Sequence, residues 1–255
     1  MKVLFVHQNF PGQYLHIARY LGAIPGNEVV FITQRTDADL PGVRKIVYKP
    51  AREVTNGIHH YLRETEAGVL NAQNVARVAM SLKESGFVPD VMLGHNGWGE
   101  LWYLKEVYPN TPLIGYFEFF YRHHGADVGF EPGPPLIFDV GPRIRTKNLG
   151  NLLALDAVDY GQCPTKWQKS LYPKEYQPKL HIVHEGIDTQ IVAPDQSARF
   201  AVPGTELVLT AADEVVTYVS RNLEPYRGFP SFMRSLPTIL AQRPNAHVLV
   251  VGFGP

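Results

Sequence analysis

The chain has 255 residues, of which 45% are hydrophobic and 19% are charged, which is typical of a globular protein and excludes a disordered or fibrous one. Its 24 basic residues balance its 24 acidic ones, so the net charge provides no attraction for nucleic acid or for an anionic membrane. The single cysteine, Cys163, excludes an internal disulfide and a cysteine-built zinc site, and it fits the reducing cytoplasm. No apolar run approaches the roughly 20 residues of a membrane helix, whereas peripheral membrane contact stays open.

Short β-rich segments alternate with segments of helical periodicity along most of the chain. The first predicted strands are residues 3–7, 29–33, 46–48, 91–95, 113–119, 160–163 and 180–183. The predicted helices among them are residues 13–22, 58–85, 97–107, 146–156 and 166–171. Continuous apolar strands that alternate with helices predict an α/β fold, a Rossmann-like parallel sheet with helices on both faces.

The pattern divides the chain into two predicted domains. Residues 1–188 form the first, and the polar, proline-containing residues 189–206 are the predicted linker. Residues 207–255 begin a second Rossmann-like domain, with strands at 207–209, 215–219 and 247–252 and a helix after residue 228. Such a unit cannot bury both faces of its strands alone, so the sequence predicts that the second domain is incomplete.

Ligands of parallel sheets bind at the carboxyl ends of the strands, which selects two positions in the first domain. Gly12 follows the first strand and would let backbone N–H groups approach an anion, although an ordinary strand-to-helix turn explains it equally well. His95 ends the fourth strand, between glycines that permit a tight helix entry. We therefore predict that His95 has a functional role and not only a structural one.

The fifth predicted strand carries Glu118 within a run of aromatic residues. A carboxylate in apolar surroundings has a raised pKa unless it is paired, and Arg122 or His123 would be its partner. We favour a functional role for Glu118 over a structural ion pair. The loop predicted at residues 122–145 is rich in glycine and proline, and loops of this length are usually functional or disordered.

A basic turn in the second domain is the strongest single indication of a binding site. Arg221 and Arg227 lie six residues apart, and Gly228 opens the following helix. Two guanidinium groups beside a helix N-terminus could hold a diphosphate group. The alternative is a solvated turn with two surface charges.

Two patterns that suggest a metal are discounted. Asp37 and Asp39 match the D-x-D pair with which some sugar transferases hold a divalent cation, but they lie in a polar loop after only the second strand. His123 and His124 have no further ligand at a suitable spacing. The sequence therefore predicts no metal site.

Taken in order, the motifs resemble those of the retaining glycosyltransferases of family 4, which have the two-domain GT-B fold. Residues 181–188 are similar to the motif at the end of the family's first domain, with His184 and Glu185 where proline and asparagine are commoner. Residues 218–228 are similar to its G-R-L-x-x-x-K-G motif. Arg221 matches the first basic position, whereas Arg227 stands one residue late and replaces a lysine.

The resemblance implies a nucleotide-diphosphate sugar donor on the second domain and a saccharide or lipid-linked acceptor on the first. Arg221 and Arg227 would stabilise the leaving diphosphate without a cofactor or an obligatory metal, and the anomeric configuration would be retained. Domain closure would bring His95, Glu118 and the Gly12 loop to the donor, with Glu185 and Gly186 in the interdomain cleft. Either His95 or Glu118 could be the residue that contacts the sugar.

Two other functions remain open on the sequence alone. One is a GT-B-like sugar-nucleotide epimerase, and the other is a non-catalytic module that binds sugar nucleotides. Because most of the family's donor domain is missing, we expect residues 1–255 alone to show little or no turnover. The sequence does not indicate the donor, the acceptor or the oligomeric state.

Overall fold

The computed structural model describes residues 1–126, 128–129 and 137–253. Seven parallel strands form its main sheet, in the order β3-β2-β1-β4-β5-β6-β7. The strand order reverses beside β1, which pairs with both β2 and β4. The strands are β1 Lys2–Val6, β2 Glu28–Thr33, β3 Val43–Val47, β4 Val91–His95, β5 Leu113–Tyr116, β6 Tyr160–Cys163 and β7 Leu180–Ile182.

Helices cover both faces of this sheet, as the sequence predicts. Alternate residues of β1 enter two separate hydrophobic clusters, Leu4 and Val6 in one and Val3 and Phe5 in the other. Both faces of the strand are therefore buried, which is the reason for its continuous apolar sequence. The helices of this part are α1 Leu15–Ala23, α2 Arg63–Glu84, α3 Leu104–Val107, α4 Val140–Lys147, α5 Leu149–Ala157 and α6 Lys166–Leu171.

Several helix boundaries differ from the prediction. The helix predicted at 97–107 is reduced to α3 because Gly99 has φ +97°, which is incompatible with an α-helix. A Cβ at Gly99 would collide with the backbone of Gly68 in α2, so the β4 exit and α2 make a close contact that only glycine permits. The predicted helix 146–156 is two helices that meet at Asn148, and α4 occupies part of the predicted 122–145 loop.

The chain from Ile187 belongs to a second compact unit. Strands β8 Arg199–Ala201 and β9 Val208–Thr210 form an antiparallel pair, so part of the predicted linker is a strand. Strands β10 Val215–Asn222 and β11 His247–Phe253 pair in parallel and are connected by α7 Phe229–Gln242. Among the described residues, no helix has the length and apolarity that crossing a bilayer requires.

A buried carboxylate fixes the exit of β4. Glu100 is fully buried and accepts a hydrogen bond of 2.7 Å from the Tyr48 hydroxyl, which accepts one of 2.9 Å from Gln34 Nε2. Gln34 also donates to Asn71, which donates to the Trp98 carbonyl. Among the described residues, the second oxygen of Glu100 has no hydrogen-bond partner, and burial raises the pKa of Glu100 to about 7.

This pKa predicts that the protein loses stability as the pH rises. The folded state holds the Glu100 proton more tightly than the unfolded state, so the stabilisation is complete below the usual pKa of 4.5 and is lost as the pH rises through about 7. Glu100→Gln keeps the shape without the charge. We expect it to remove up to about 3 kcal/mol of pH dependence from the unfolding free energy, measured with urea between pH 5 and 8.

Glu84→Gln, at an exposed position of α2, is the matched control and should give the wild-type profile. Parallel profiles for Glu100→Gln and the wild type would show that Glu100 is ionised at neutral pH.

Candidate active site

The imidazole of His95 lies at the carboxyl end of β4 and is 2% exposed. Its Nδ1 accepts a hydrogen bond of 3.0 Å from the Gly97 N–H, so Nε2 is the ring nitrogen that bears a proton. Nε2 is 3.5 Å from Oε2 of Glu118, and it has no hydrogen-bond partner among the described residues. The structure therefore brings together the two residues predicted as catalytic, with a proton-bearing nitrogen next to a carboxylate.

Three aromatic neighbours hold the His95 ring in position. Trp98 and Tyr116 stack on it at centroid distances of 4.7 and 5.0 Å, and His7 lies at 4.7 Å. Burial, followed by electrostatic repulsion from His95, lowers the pKa of His7 to about 3, so His7 is neutral. His7, Trp98 and Tyr116 were not among the predicted site residues. His7 and Tyr116 lie at the carboxyl ends of β1 and β5, the two strands that flank β4, and could have been found there.

The environment predicted for Glu118 is wrong. The strand ends at Tyr116, where its register partner on β4 is the terminal His95, so Glu118 follows the sheet instead of lying in it. Its side chain is 52% exposed, not enclosed by the aromatic run. The nearby group is His95, not the predicted Arg122 or His123, and the Arg122 guanidinium lies 5.2 Å from the Phe120 ring centroid.

His95 and Glu118 line a cavity of about 160 Å³. Lys147 forms an ion pair of 3.2 Å with Glu64 there, and its ammonium group lies 4.3 Å from the Tyr121 ring centroid. A small cavity that combines aromatic faces with amides and charges suits a polyhydroxylated ligand. Its other lining residues are Asn96, Gly97, Trp98, Trp102, Phe119, Gly150 and Asn151.

Glu185 is connected to His95 through Tyr116. The Tyr116 hydroxyl donates a hydrogen bond to Glu185, and burial together with this bond raises the pKa of Tyr116. Glu185 Oε2 also lies 3.6 Å from His184 Nε2, and the Gly186 N–H donates to Nδ1 of the same histidine. The predicted role of Glu185 and Gly186 in an interdomain cleft stays a prediction.

Gly12 packs directly against His7 at the exit of β1. It has φ +53°, and a Cβ at this position would lie 2.7 Å from His7 Nε2, which is 2.7 Å from Gln13 Oε1. Glycine is therefore needed both for the backbone conformation and for the close approach to the histidine. The predicted approach of an anion to this loop stays a prediction.

The two predicted diphosphate-binding arginines lie on different elements. Arg221 is on β10, which extends to Asn222 because a register shift pairs Asn222 with Phe253. Its side chain forms no ion pair with any described residue. Arg227 lies in the following turn, where its Nε is 2.9 Å from Glu224, and Gly228 precedes α7 with φ +81°.

The two carboxylates of the D-x-D pair form ion pairs with neighbouring basic residues. Arg35 donates two hydrogen bonds of 2.8 and 2.7 Å to Asp37, and Lys45 lies 2.9 Å from Asp39. Within residues 1–126, 128–129 and 137–253, no group of three or more potential ligands is arranged to hold a metal ion.

The contact between Gly12 and His7 predicts a difference between two glycine substitutions. Both positions have a positive φ, so an alanine at either one strains the backbone, with φ +53° at Gly12 and +84° at Gly26. Only at Gly12 would the added Cβ also collide with a neighbour, His7, because no atom lies within 4 Å of a Cβ at Gly26. We expect Gly12→Ala to lower the free energy of unfolding by about 1–3 kcal/mol more than Gly26→Ala in chemical denaturation. Equal losses for the two variants would contradict the packing of Gly12 against His7.

Solved structures with a similar fold span more than this chain. A structure of S. aureus MnaA with UDP matches with a TM-score of 0.55 and 11% identity, over 99% of this chain and 62% of that one. The glycotransferase of kitacinnamycin matches with a TM-score of 0.49 and 13% identity, over 98% and 64%. A UDP-GlcNAc 2-epimerase from Neisseria meningitidis bound to UDP-GlcNAc matches with a TM-score of 0.46 and 13% identity, over 99% of this chain and 66% of that one.

Sequence comparison supplies the family. A search of curated protein sequences gives no significant match. The model of the glycosyl transferase family 4 group matches residues 25–192, about two thirds of the sequence. The chain therefore belongs to the glycosyl transferase family 4 group.

Proposed function

We propose that this protein is a glycosyltransferase that transfers a sugar from a nucleotide-diphosphate sugar to a saccharide or lipid-linked acceptor, with retention and without a metal. The observation that carries the proposal is the pairing of His95 with Glu118 in a cavity at the carboxyl edge of the sheet, in a chain of this family. The single thiol, Cys163, is consistent with a cytoplasmic enzyme.

The paired side chains would orient a hydroxyl group. Nε2–H of His95 is a hydrogen-bond donor and the Glu118 carboxylate is an acceptor, so a hydroxyl between them could accept from one and donate to the other. The carboxylate would also stabilise positive charge that develops on the sugar as the bond to the diphosphate breaks. The stacked rings around His95 keep the donor atom in place before the substrate binds.

Cationic side chains of the second unit would stabilise the leaving group. Arg221 has a free guanidinium group within the described part of the chain, and Arg227 would exchange Glu224 for a phosphate oxygen. The UDP in the MnaA structure supports a nucleoside diphosphate as the leaving group. These arginines would carry the charge that a divalent ion carries in other transferases, and Asp37 and Asp39 are already held by cations.

The proposal is tested with the full-length protein and labelled nucleotide sugars. The expected result is acceptor-dependent transfer with release of nucleoside diphosphate, an anomeric configuration that NMR shows to be retained, and unchanged turnover in EDTA. Interconversion of sugar nucleotides without an acceptor would instead identify an epimerase. Binding without turnover would identify a non-catalytic module.

Glu118→Gln tests the carboxylate in the cavity. Because Glu118 is half exposed, the variant should fold normally, and we expect kcat for transfer to fall about 10²-fold at an unchanged Tm. Glu64→Gln is the matched control, since Glu64 lines the same cavity but pairs with Lys147. Equal losses in the two variants would remove the special role of Glu118.

Three substitutions in the second unit test the diphosphate site. We expect Arg221→Gln to weaken UDP binding about tenfold or more in calorimetric titrations. Hydrogen bonds from Tyr226, Asn222 and Arg227 lower the pKa of Glu224 to about 2, so Glu224 is ionised at neutral pH. Glu224→Gln should therefore release Arg227 and strengthen UDP binding.

Arg243→Gln is the charge-matched control at the other end of α7, where Arg243 pairs with Glu214. It should leave UDP affinity unchanged. If Arg243→Gln weakened UDP binding as much as Arg221→Gln, the loss of affinity would come from the change in net charge and not from a diphosphate site at Arg221.

A further inference from the structure

A second cavity of the first unit has a strongly basic lining. This Arg122 cavity has a volume of about 510 Å³ and is distinct from the smaller cavity at His95. Among the described residues, no acidic side chain lines it, whereas Glu64 and Glu118 line the smaller one. The lining residues are Phe120, Tyr121, Arg122, His123, Gly141, Ile144, Arg145, Asn148, Leu152 and Pro173.

No carboxylate of the described residues forms an ion pair with the two arginines of this cavity. The Arg122 guanidinium lies over the Phe120 ring, and Arg145 is in the last turn of α4. Neither forms an ion pair with a residue of the described ranges. Elsewhere in the first unit, Arg35, Arg52 and Lys45 each pair with a carboxylate at 2.6–2.9 Å. Two guanidinium groups that line one cavity attract anions, and above all phosphate, which accepts several hydrogen bonds.

A buried side chain gives the Arg122 cavity a fixed wall. Asn148 is 5% exposed, accepts a hydrogen bond of 2.9 Å from the Tyr121 N–H and donates one of 2.8 Å to the Tyr121 carbonyl. These two bonds hold the segment before Arg122 against the junction of α4 and α5. Tyr121 lines both cavities, so the Arg122 cavity lies next to the cavity of His95 and Glu118.

We propose that the Arg122 cavity binds a phosphate group of the acceptor, and hence that the acceptor is a phosphorylated saccharide. This assignment rests on the proposed transferase function. The guanidinium groups of Arg122 and Arg145 bind the phosphate, and the saccharide occupies the smaller cavity. The phosphate belongs either to a soluble sugar phosphate or to a lipid headgroup.

The first test is titration of the chain with inorganic phosphate, followed by calorimetry or ³¹P NMR. It is made in an Arg221→Gln/Arg227→Gln background, so that the basic residues of the second unit do not contribute. Adding Arg122→Gln and Arg145→Gln should weaken phosphate binding about tenfold or more. Adding Arg143→Gln, on the same helix but outside the cavity lining, should leave it unchanged. The proposal is overturned if phosphate binding is unchanged in the Arg122→Gln/Arg145→Gln variant, or if Arg143→Gln weakens it equally.

A second measurement needs no substitution and so does not depend on how the variants fold. Phenylglyoxal modifies accessible arginines, and the modified peptides are quantified by mass spectrometry. Phosphate should protect Arg122 and Arg145 of the wild-type chain but not Arg143. Modification at equal rates with and without phosphate overturns the proposal.

Two further ligands distinguish the sources of the phosphate. Binding of hexose 1-phosphate indicates a soluble acceptor, and binding to phosphatidic acid vesicles but not to phosphatidylcholine vesicles indicates a lipid headgroup. Failure of both overturns the proposal. UDP affinity should be the same in Arg122→Gln/Arg145→Gln and the wild type. A wild-type chain that binds UDP but binds no phosphate through Arg122 and Arg145 rejects the acceptor site and not the transferase.

Discussion

Burial of both faces of the seven-stranded sheet is the constraint on which the rest of the structure depends. Strands such as β1 have neither face free for polar groups, so polar side chains are placed where the strands end. At the carboxyl edge this brings His7, His95 and Tyr116 into one stack of rings. The orientation of the His95 imidazole is thus a consequence of the sheet itself, and the cavity at His95 has a rigid wall before any ligand arrives.

The two cavities of the first unit differ in the charge of their lining residues. Around His95 the cavity mixes carboxylates, amides and one ammonium group, an arrangement suited to hydroxyl groups. Around Arg122 the lining is basic, with no carboxylate from the part of the chain that the structure describes, an arrangement suited to anions. The balanced net charge of the whole chain conceals this contrast, because the function of each cavity depends on local charge and not on the total.

Periodicity predicted the parallel sheet correctly, and the rule that ligands bind at strand ends selected His95. The surroundings of Glu118 could not be predicted in the same way, because the end of β5 depends on where the neighbouring strands stop pairing. The role of Glu100 was also hidden. Its partner Tyr48 lies 52 residues away in the sequence, and no local pattern indicates a hydrogen bond over that separation. The register shift that places Arg221 on a strand has the same origin, since it arises from pairing with β11.

The contact between Gly99 and Gly68 has a consequence for substitutions around the cavity. A side chain at Gly99 would meet the α2 backbone, and one at Gly68 would meet the Trp102 ring, so these positions fix the distance between α2 and the β4 exit. Glu64 on α2 and Lys147 on α4 line the same cavity, and their side chains are partly exposed. A substitution at Glu64 or Lys147 would therefore change the charge of the cavity, whereas a side chain at either glycine would also move α2 away from β4.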